Sequence, residues 1–464
     1  MVDEPLHHAG ESASNSVRAD LVRVEPRSLR TYTPTQVVIA RSAGVYHWTP
    51  EGRRLYDFTS GVLVSNLGHN PARWMQRFSQ YMGWDGATGA GEASSLAGFF
   101  AALPMTTYNA VTTIEVDASR RLVQLLQGQP GGSRLQQAMW AASGSEAIQK
   151  ALWVALARDR SRDMIVATRF GFHGKKGLAN AVTGSEQDRD RDPRVRFISF
   201  PMAECADVSL RDRSFDPAPY RRELETLASQ LGRRLTALIT EPYLGGGGSY
   251  HPPAAYLQML QQFCRDHDLV FILDEVQANF GRTGSLFAFE TYGLEPDIVV
   301  LGKGLGNGVP VAAAAGRTEL FATLDYGEGS DTWSANPLCC AAVLATLDEF
   351  RARDILSASR RVSSVLEDGL VRLRELPFVA HLRGERGGMV WGIETSDYAG
   401  RSAGEWANLF VLTCYRGEGN EGVHLLGPLA KKVIRVAPPL VLNEKEARTA
   451  ADLMVRSLTA LAAR

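Results

Sequence analysis

Three residues in the middle of the chain have the types and spacing for proton and carbonyl chemistry. Glu241 closes the apolar run "LTALIT", Asp274 closes "VFIL", and Lys303 follows "IVVLG". Lys303 stands in "DIVVLGKGLGNGVPVAAAAG" (297–316), where no other charged side chain lies between Asp297 and Arg317. An ammonium in apolar surroundings loses hydration, which favours its neutral form. A neutral amine can attack a carbonyl carbon or carry a proton. In open α/β sheets ligands gather at the carboxyl ends of strands, where these residues would fall. Asp274 and Lys303 could equally form a buried ion pair without chemistry. On these residues alone both readings stand.

A second stretch adds an anion site. "WAASGSEAIQKALWVALAR" (140–158) runs from a Ser-Gly-Ser turn into a helical pattern, with Ile148, Leu152 and Ala155 on one face. A helix start exposes free backbone N–H groups and the positive end of the dipole, and Ser145 adds a hydroxyl. Plain N-capping by Ser143 or Ser145 is the simpler alternative. The chain lacks G-x-x-x-x-G-K-[ST], "GKGLGNG" does not fit G-x-G-x-x-G, and neither H-E-x-x-H nor a Cys/His motif for zinc occurs. No metal is expected. An anion site, a strand-end acid and a desolvated amine, without nucleotide or metal motifs, suit an aldehyde cofactor bearing a phosphate, and pyridoxal phosphate (PLP) meets that description.

The elements that must position these groups follow from the pattern. "DMIVAT", "RVRFISF", "LTALITEP", "LVFILDEV" and "DIVVLGK" are near-continuous apolar runs between positions 163 and 303, separated by helical stretches such as "AAYLQMLQQFCRDHD". They predict a mostly parallel α/β sheet covered on both faces. Residues 36–58 predict a short antiparallel meander, and "GGMVWGIE" and "KKVIRVAPPLVL" predict strands in a mixed C-terminal region. The expected organisation is a mobile arm over 1–30, a small-domain segment over 31–75, a large domain over 76–345 and the rest of a small α+β domain over 346–464. The chain of 464 residues is 45% hydrophobic and 22% charged, with formal charge −1, which gives no support for a nucleic-acid or membrane partner. Five cysteines without a C-x-x-C pair, a polar start and no spanning apolar run point to a reducing, cytoplasmic setting.

"FILDEVQANFGRTGSLFAFETYGLEPDIVVLGKGLGNGVPVAA" resembles the signature of the class-III (ω-amino acid type) aminotransferases, PLP enzymes of fold type I. "SGSEA", "GFHGKKG", "ITEPYLGGGG", "DTWSANPLCCAA" and "IRVAPPLVL" match further family blocks in order, and "AGVYHWTPEGRRLYDFTSGVLVSNLGHN" matches the N-terminal one. The resemblance implies a large domain with a seven-stranded-type sheet between helices. Lys303 would carry PLP as a Schiff base and shuttle the proton, and Asp274 would keep the pyridine nitrogen charged. Gln277 would reach the phenolic oxygen, with Val276 and Phe172 on the ring faces. Gly144 and Ser145 would hold the phosphate, and His173 and Glu241 would complete the cofactor site. Gly302 and Gly304 would let the backbone approach the cofactor. Thr332 would reach the phosphate of a second subunit, making a homodimer, or a dimer of dimers, with shared active sites. Arg435 would dock a substrate carboxylate through a bidentate fork, its alternative being a structural ion pair. Leu63 and Trp333 would border the substrate.

The chain departs from the family in two places. Gly246 in "EPYLGGGGSYHPP" stands where ornithine- and γ-aminobutyrate-type members carry the acid that masks this arginine. Leu63 replaces the large aromatic often present in amine-accepting members, hinting at a roomier pocket. The stretch 76–111 fits the family poorly and should lie near the site entrance. The expected activity is amino transfer from an amino acid, ω-amino acid or amine to a 2-oxo acid such as pyruvate or 2-oxoglutarate. A PLP-dependent decarboxylase or aminomutase, a non-catalytic PLP-fold binding protein and a nucleotide-binding α/β protein are the alternatives.

Overall fold

The alternating N-terminal run forms β1 (Arg41–Ala43), β2 (Tyr46–Trp48) and β3 (Arg54–Asp57), an antiparallel meander as its Pro50-Glu51-Gly52 punctuation implies. The computed structural model describes residues 4–85, 99, 101–189 and 191–463. Much of the stretch expected at the site entrance, 86–98 with 100, lies outside them.

The central sheet has seven strands: β4 (Gln137–Ala141), β5 (Met164–Thr168), β6 (Val195–Ile198), β7 (Leu235–Thr240), β8 (Val270–Asp274), β9 (Ile298–Leu301) and β10 (Ala312–Gly316). Their order is β4-β10-β9-β8-β7-β5-β6. The run β6-β5-β7-β8-β9 is parallel, and β10 lies antiparallel to both β9 and β4. Every residue of β5, β7, β8 and β9 is buried, which explains their unbroken apolar character. Five of the seven strands coincide with the apolar runs of the sequence. The run forming β10 is "AAAAG", whose alanines favour strands weakly, and its extended state comes from pairing on both sides.

A three-stranded antiparallel sheet follows, β11 (Val379–Gly384), β12 (Trp391–Thr395) and β14 (Val433–Val436) in that order. The remaining strand, β13 (Glu421–His424), leaves this sheet and pairs parallel with β3, so the two ends of the chain share one sheet. The first thirty residues, read from their polarity as an arm, hold the helix Ser12–Val24. Polar contacts anchor it. The buried Arg18 guanidinium donates to Glu11 at 2.7 Å and to the Gln36 carbonyl at 3.0 Å, and Tyr415 Oη donates to Glu11 at 2.8 Å. Attachment by charge rather than by an apolar stripe is why hydrophobic periodicity did not reveal this helix. Among the described residues no helix is long and apolar enough to cross a membrane.

Candidate active site

Strands β7, β8 and β9 are neighbours, so their carboxyl ends bring Glu241, Asp274 and Lys303 together. Every sequence-predicted cofactor residue except Thr332 lines one cavity of about 380 Å³ there: Gly144, Ser145, Phe172, His173, Glu241, Asp274, Val276, Gln277 and Lys303. Val64, Gly174 and the segment Gly308–Val311 also line it. The sequence marked none of these as site residues, because they contribute surface rather than functional groups.

Asp274 is held on both oxygens. Oδ1 accepts the Val276 N–H at 2.9 Å, and Oδ2 lies 2.7 Å from His173 Nδ1. His173 therefore acts through Asp274, orienting the carboxylate. Glu241 accepts the N–H groups of Phe172 (2.8 Å) and Gly245 (3.1 Å). Burial pushes its carboxyl up to about 7; the nearby His173 opposes this and Asp274 adds to it.

Lys303 has φ of +47°, a left-handed conformation that costs a side-chain-bearing residue on the order of 1–3 kcal/mol. Its Nζ has no hydrogen-bond partner among the described residues. Burial pushes the amine down to about 8; the Arg435 charge lowers it further, while Asp274 and Glu241 oppose. In cofactor-free protein, labelling of Lys303 by an amine-selective reagent is expected to be half-maximal near pH 8, against 10.5 for an ordinary lysine. The unfolded chain binds more protons than the native one between these values, so this group makes stability rise with pH across that window. A labelling midpoint at the ordinary lysine value would contradict the desolvated site.

Ser143 caps the helix Gly144–Ala157, accepting from the Glu146 N–H at 3.3 Å, and leaves the remaining first-turn amides and the Ser145 hydroxyl at the cavity. The capping and anion-site readings thus coexist, on adjacent residues. A Cβ on Gly174 would run into the Ser145 side chain, and one on Gly144 would press Val276 at 3.0 Å, so both glycines keep this end open. An anion cradle at one end and a fixed carboxylate and a half-buried, unpartnered amine at the other fit PLP. The two glycines beside Lys303 face different neighbours. A Cβ on Gly304 would collide with Asn66 rather than narrow the cavity, and one on Gly302 would press Val276 at 3.2 Å. Asn66 in turn accepts from the buried Arg282 guanidinium, which also donates to the Pro438 carbonyl at 2.6 Å. Arg282, in the "GRTG" block, therefore ties the Lys303 segment to the C-terminal strands.

None of the three residues expected on the substrate side lines this cavity. Leu63 is buried in the core, and Val64 reaches the cavity instead. The cause is a left-handed turn, with φ between +50° and +67° from Ser60 through Leu63, that shifts which side chain faces the cavity. Trp333, 59% exposed, does not line this chain's cavity, and neither does the exposed Thr332. Their turn is nevertheless fixed to the site helix: Lys150 Nζ donates to Asp331 Oδ2 and Ser334 Oγ, both at 2.7 Å. Arg435 lies on β14, buried, outside the cavity lining, with Nε and Nη1 lacking any hydrogen-bond partner. It forms no ion pair among the described residues, so the structural-pair alternative has no carboxylate to support it. A Cβ on Gly246 would meet Phe172 Cβ at 2.9 Å, so an acid at that position would displace Phe172.

The sequence profile described as "Aminotransferase class-III" matches residues 100–458. The mitochondrial acetylornithine aminotransferase of Alnus glutinosa is 27% identical over 441 residues, covering 93% of this chain and 85% of the relative. The ornithine aminotransferase of Emericella nidulans is 26% identical, covering 93% and 87%. Among solved structures, an (S)-enantioselective omega-transaminase from Thermomicrobium roseum aligns with a TM-score of 0.79 at 24% identity, over 98% of this chain and 99% of that one. An amine transaminase from an uncultivated Pseudomonas species, in its PLP-bound form, aligns with a TM-score of 0.77 at 25% identity, over 100% and 99%. With the cavity fitted to PLP and the match spanning most of the sequence, the chain belongs to the class-III aminotransferase family and is a PLP-dependent transaminase of fold type I.

Proposed function

We propose that this transaminase acts on a donor or acceptor bearing a carboxylate, docked by Arg435, with Lys303 as the covalent anchor of the cofactor and the proton carrier. The observation that carries the substrate reading is the buried, unpaired Arg435 guanidinium, for which Gly246 supplies no masking acid. A desolvated guanidinium without a partner is an unsatisfied charge, and a carboxylate is the group that satisfies it bidentately. Ornithine- or γ-aminobutyrate-type specificity loses support for the same reason, although curated relatives carry ornithine in their names.

Bound PLP supplies an electron sink for the electron pair left when a substrate Cα gives up its proton. Lys303 Nζ, whose pKa burial lowers to about 8, would take that proton and return it to the neighbouring carbon. Asp274, held by His173 and the Val276 amide, would keep the ring nitrogen charged. Gln277 would meet the phenolic oxygen, Val276 and Phe172 the ring faces, and Gly144 and Ser145 the phosphate.

Amino transfer is tested by supplying 2-oxo acids of increasing length, with and without a carboxylate on the donor, and following both products. Transfer that ignores the carboxylate on both partners would remove Arg435 from the reading. Carbon dioxide release or isomerisation without transfer would favour a decarboxylase or aminomutase.

The assembly we propose is a homodimer, in which Thr332 and Trp333 serve the partner's site. Their exposure and the rigid Lys150 tether support this. Thr332→Ala is expected to weaken PLP retention by about tenfold, as for one lost hydrogen bond to a charged oxygen. Equilibrium dialysis of the cofactor measures it, and unchanged affinity would count against a shared phosphate site. The free, buried cysteines fit a reducing, cytoplasmic setting.

A further inference from the structure

Away from the cofactor cavity, the sheet shared by the chain ends gathers three imidazoles around one carboxylate. We infer that His47, Asp57 and His69, with His424 beside them, form a binding site for one divalent transition-metal ion of the zinc class.

The register builds it. His47 on β2 lies opposite Leu55, two residues before Asp57 on β3, and His424 on β13 lies beside Asp57 itself. Side chains of a strand alternate faces with period two, so His47, Asp57 and His424 share one face. His69 arrives from a loop through a bridge to Gly44, with backbone hydrogen bonds of 2.9 and 2.8 Å. One ligand atom from each of His47, Asp57 and His69 lies within 4.8 Å of the others. His69 Nε2 is 2.7 Å from Asp57 Oδ2, and His47 Nε2 is 3.5 Å from Oδ1. The His47 ring centroid lies 4.5 Å from that of His69 and 5.7 Å from that of His424.

A second observation points to a ligand. His424 Nδ1 is buried without a hydrogen-bond partner, an orphan in a crowded polar cluster. Outer contacts are of the kind that orient metal ligands. Ser42 Oγ lies 2.7 Å from His47 Nδ1, which leaves Nε2 to face the carboxylate. Thr59 donates to Asp57 Oδ1 through its N–H (2.8 Å) and its hydroxyl (2.7 Å). Imidazole nitrogens with one carboxylate oxygen suit Zn²⁺, Co²⁺ or Ni²⁺; Ca²⁺ and Mg²⁺ require more oxygens. The sequence showed no metal motif because the ligands, at positions 47, 57 and 69, come from two strands and a loop with no motif spacing. An ion held by these three ligands would fasten β2 and β3 to the loop that carries His69, with His424 of β13 beside it.

The test uses holoenzyme freed of excess PLP, stripped with a chelator and dialysed against Zn²⁺ or Co²⁺. The expected result is one tightly held ion per chain, a raised Tm and visible absorbance of tetrahedral Co²⁺. His47→Asn is expected to abolish retention. Ser42→Ala, which leaves the ligands themselves in place, is expected to weaken it roughly 10–100-fold, and the half-buried His381→Asn, on a different sheet, to leave it unchanged. Should His47→Asn fail to fold, Ser42→Ala decides. No retained ion, or equal affinity in wild type and Ser42→Ala, would reduce the cluster to a hydrogen-bonded His-Asp-His group and overturn the inference.

Discussion

Lys303→Ala is expected to lose amino transfer by at least ~10²–10⁴-fold, the share of the proton transfer alone. Among the described residues no other amine lines the cavity, and Lys150 on the site helix is committed to Trp140, Asp331 and Ser334. The loss should fall on kcat, with the fold intact, because the Lys303 side chain makes no hydrogen bond among the described residues and its left-handed backbone is already a strain. Borohydride treatment of wild-type holoenzyme followed by peptide mapping should place the reduced cofactor on residue 303. Wild-type turnover in the alanine variant, or a label elsewhere, would remove the foundation of the proposed chemistry.

Arg435→Met should separate function from stability in opposite directions. Charge-assisted hydrogen bonds contribute about 1.5–3 kcal/mol, so kcat/KM for a carboxylate-bearing substrate should fall roughly 10–100-fold. A substrate without the carboxylate should be spared. The guanidinium is buried and forms no ion pair among the described residues, and exchange of a buried charge for an apolar side chain of similar volume is often neutral or stabilising by about 1–4 kcal/mol. Tm should therefore hold or rise. A lower Tm with unchanged selectivity would mean that Arg435 is scaffolding.

What the sequence revealed depended on how local the physics was. Asp274 and Lys303 were legible because each polar group ends an apolar strand, and the strand itself is read from a handful of neighbours. Phe172 and His173 carried no such signal; only the "GFHG" block pointed to them, and it left open that His173 works through Asp274. Leu63 misled because a left-handed turn of four residues shifted the facing side chain by one position. Strand β10 was silent because alanine leaves the choice of extended backbone to its neighbours. The four-residue polar cluster on the shared sheet was beyond reach, since its register joins positions 57 and 424.

The pairing of β3 with β13 also orders events during synthesis. All seven central strands lie between Gln137 and Gly316, so that layer can close while the ribosome is still making the rest. The amino-terminal meander emerges first yet waits longest, one edge open until Glu421–His424 arrives. A nascent chain stalled before residue 421 would hold a finished centre and an unguarded sheet margin, the part a chaperone would be expected to cover.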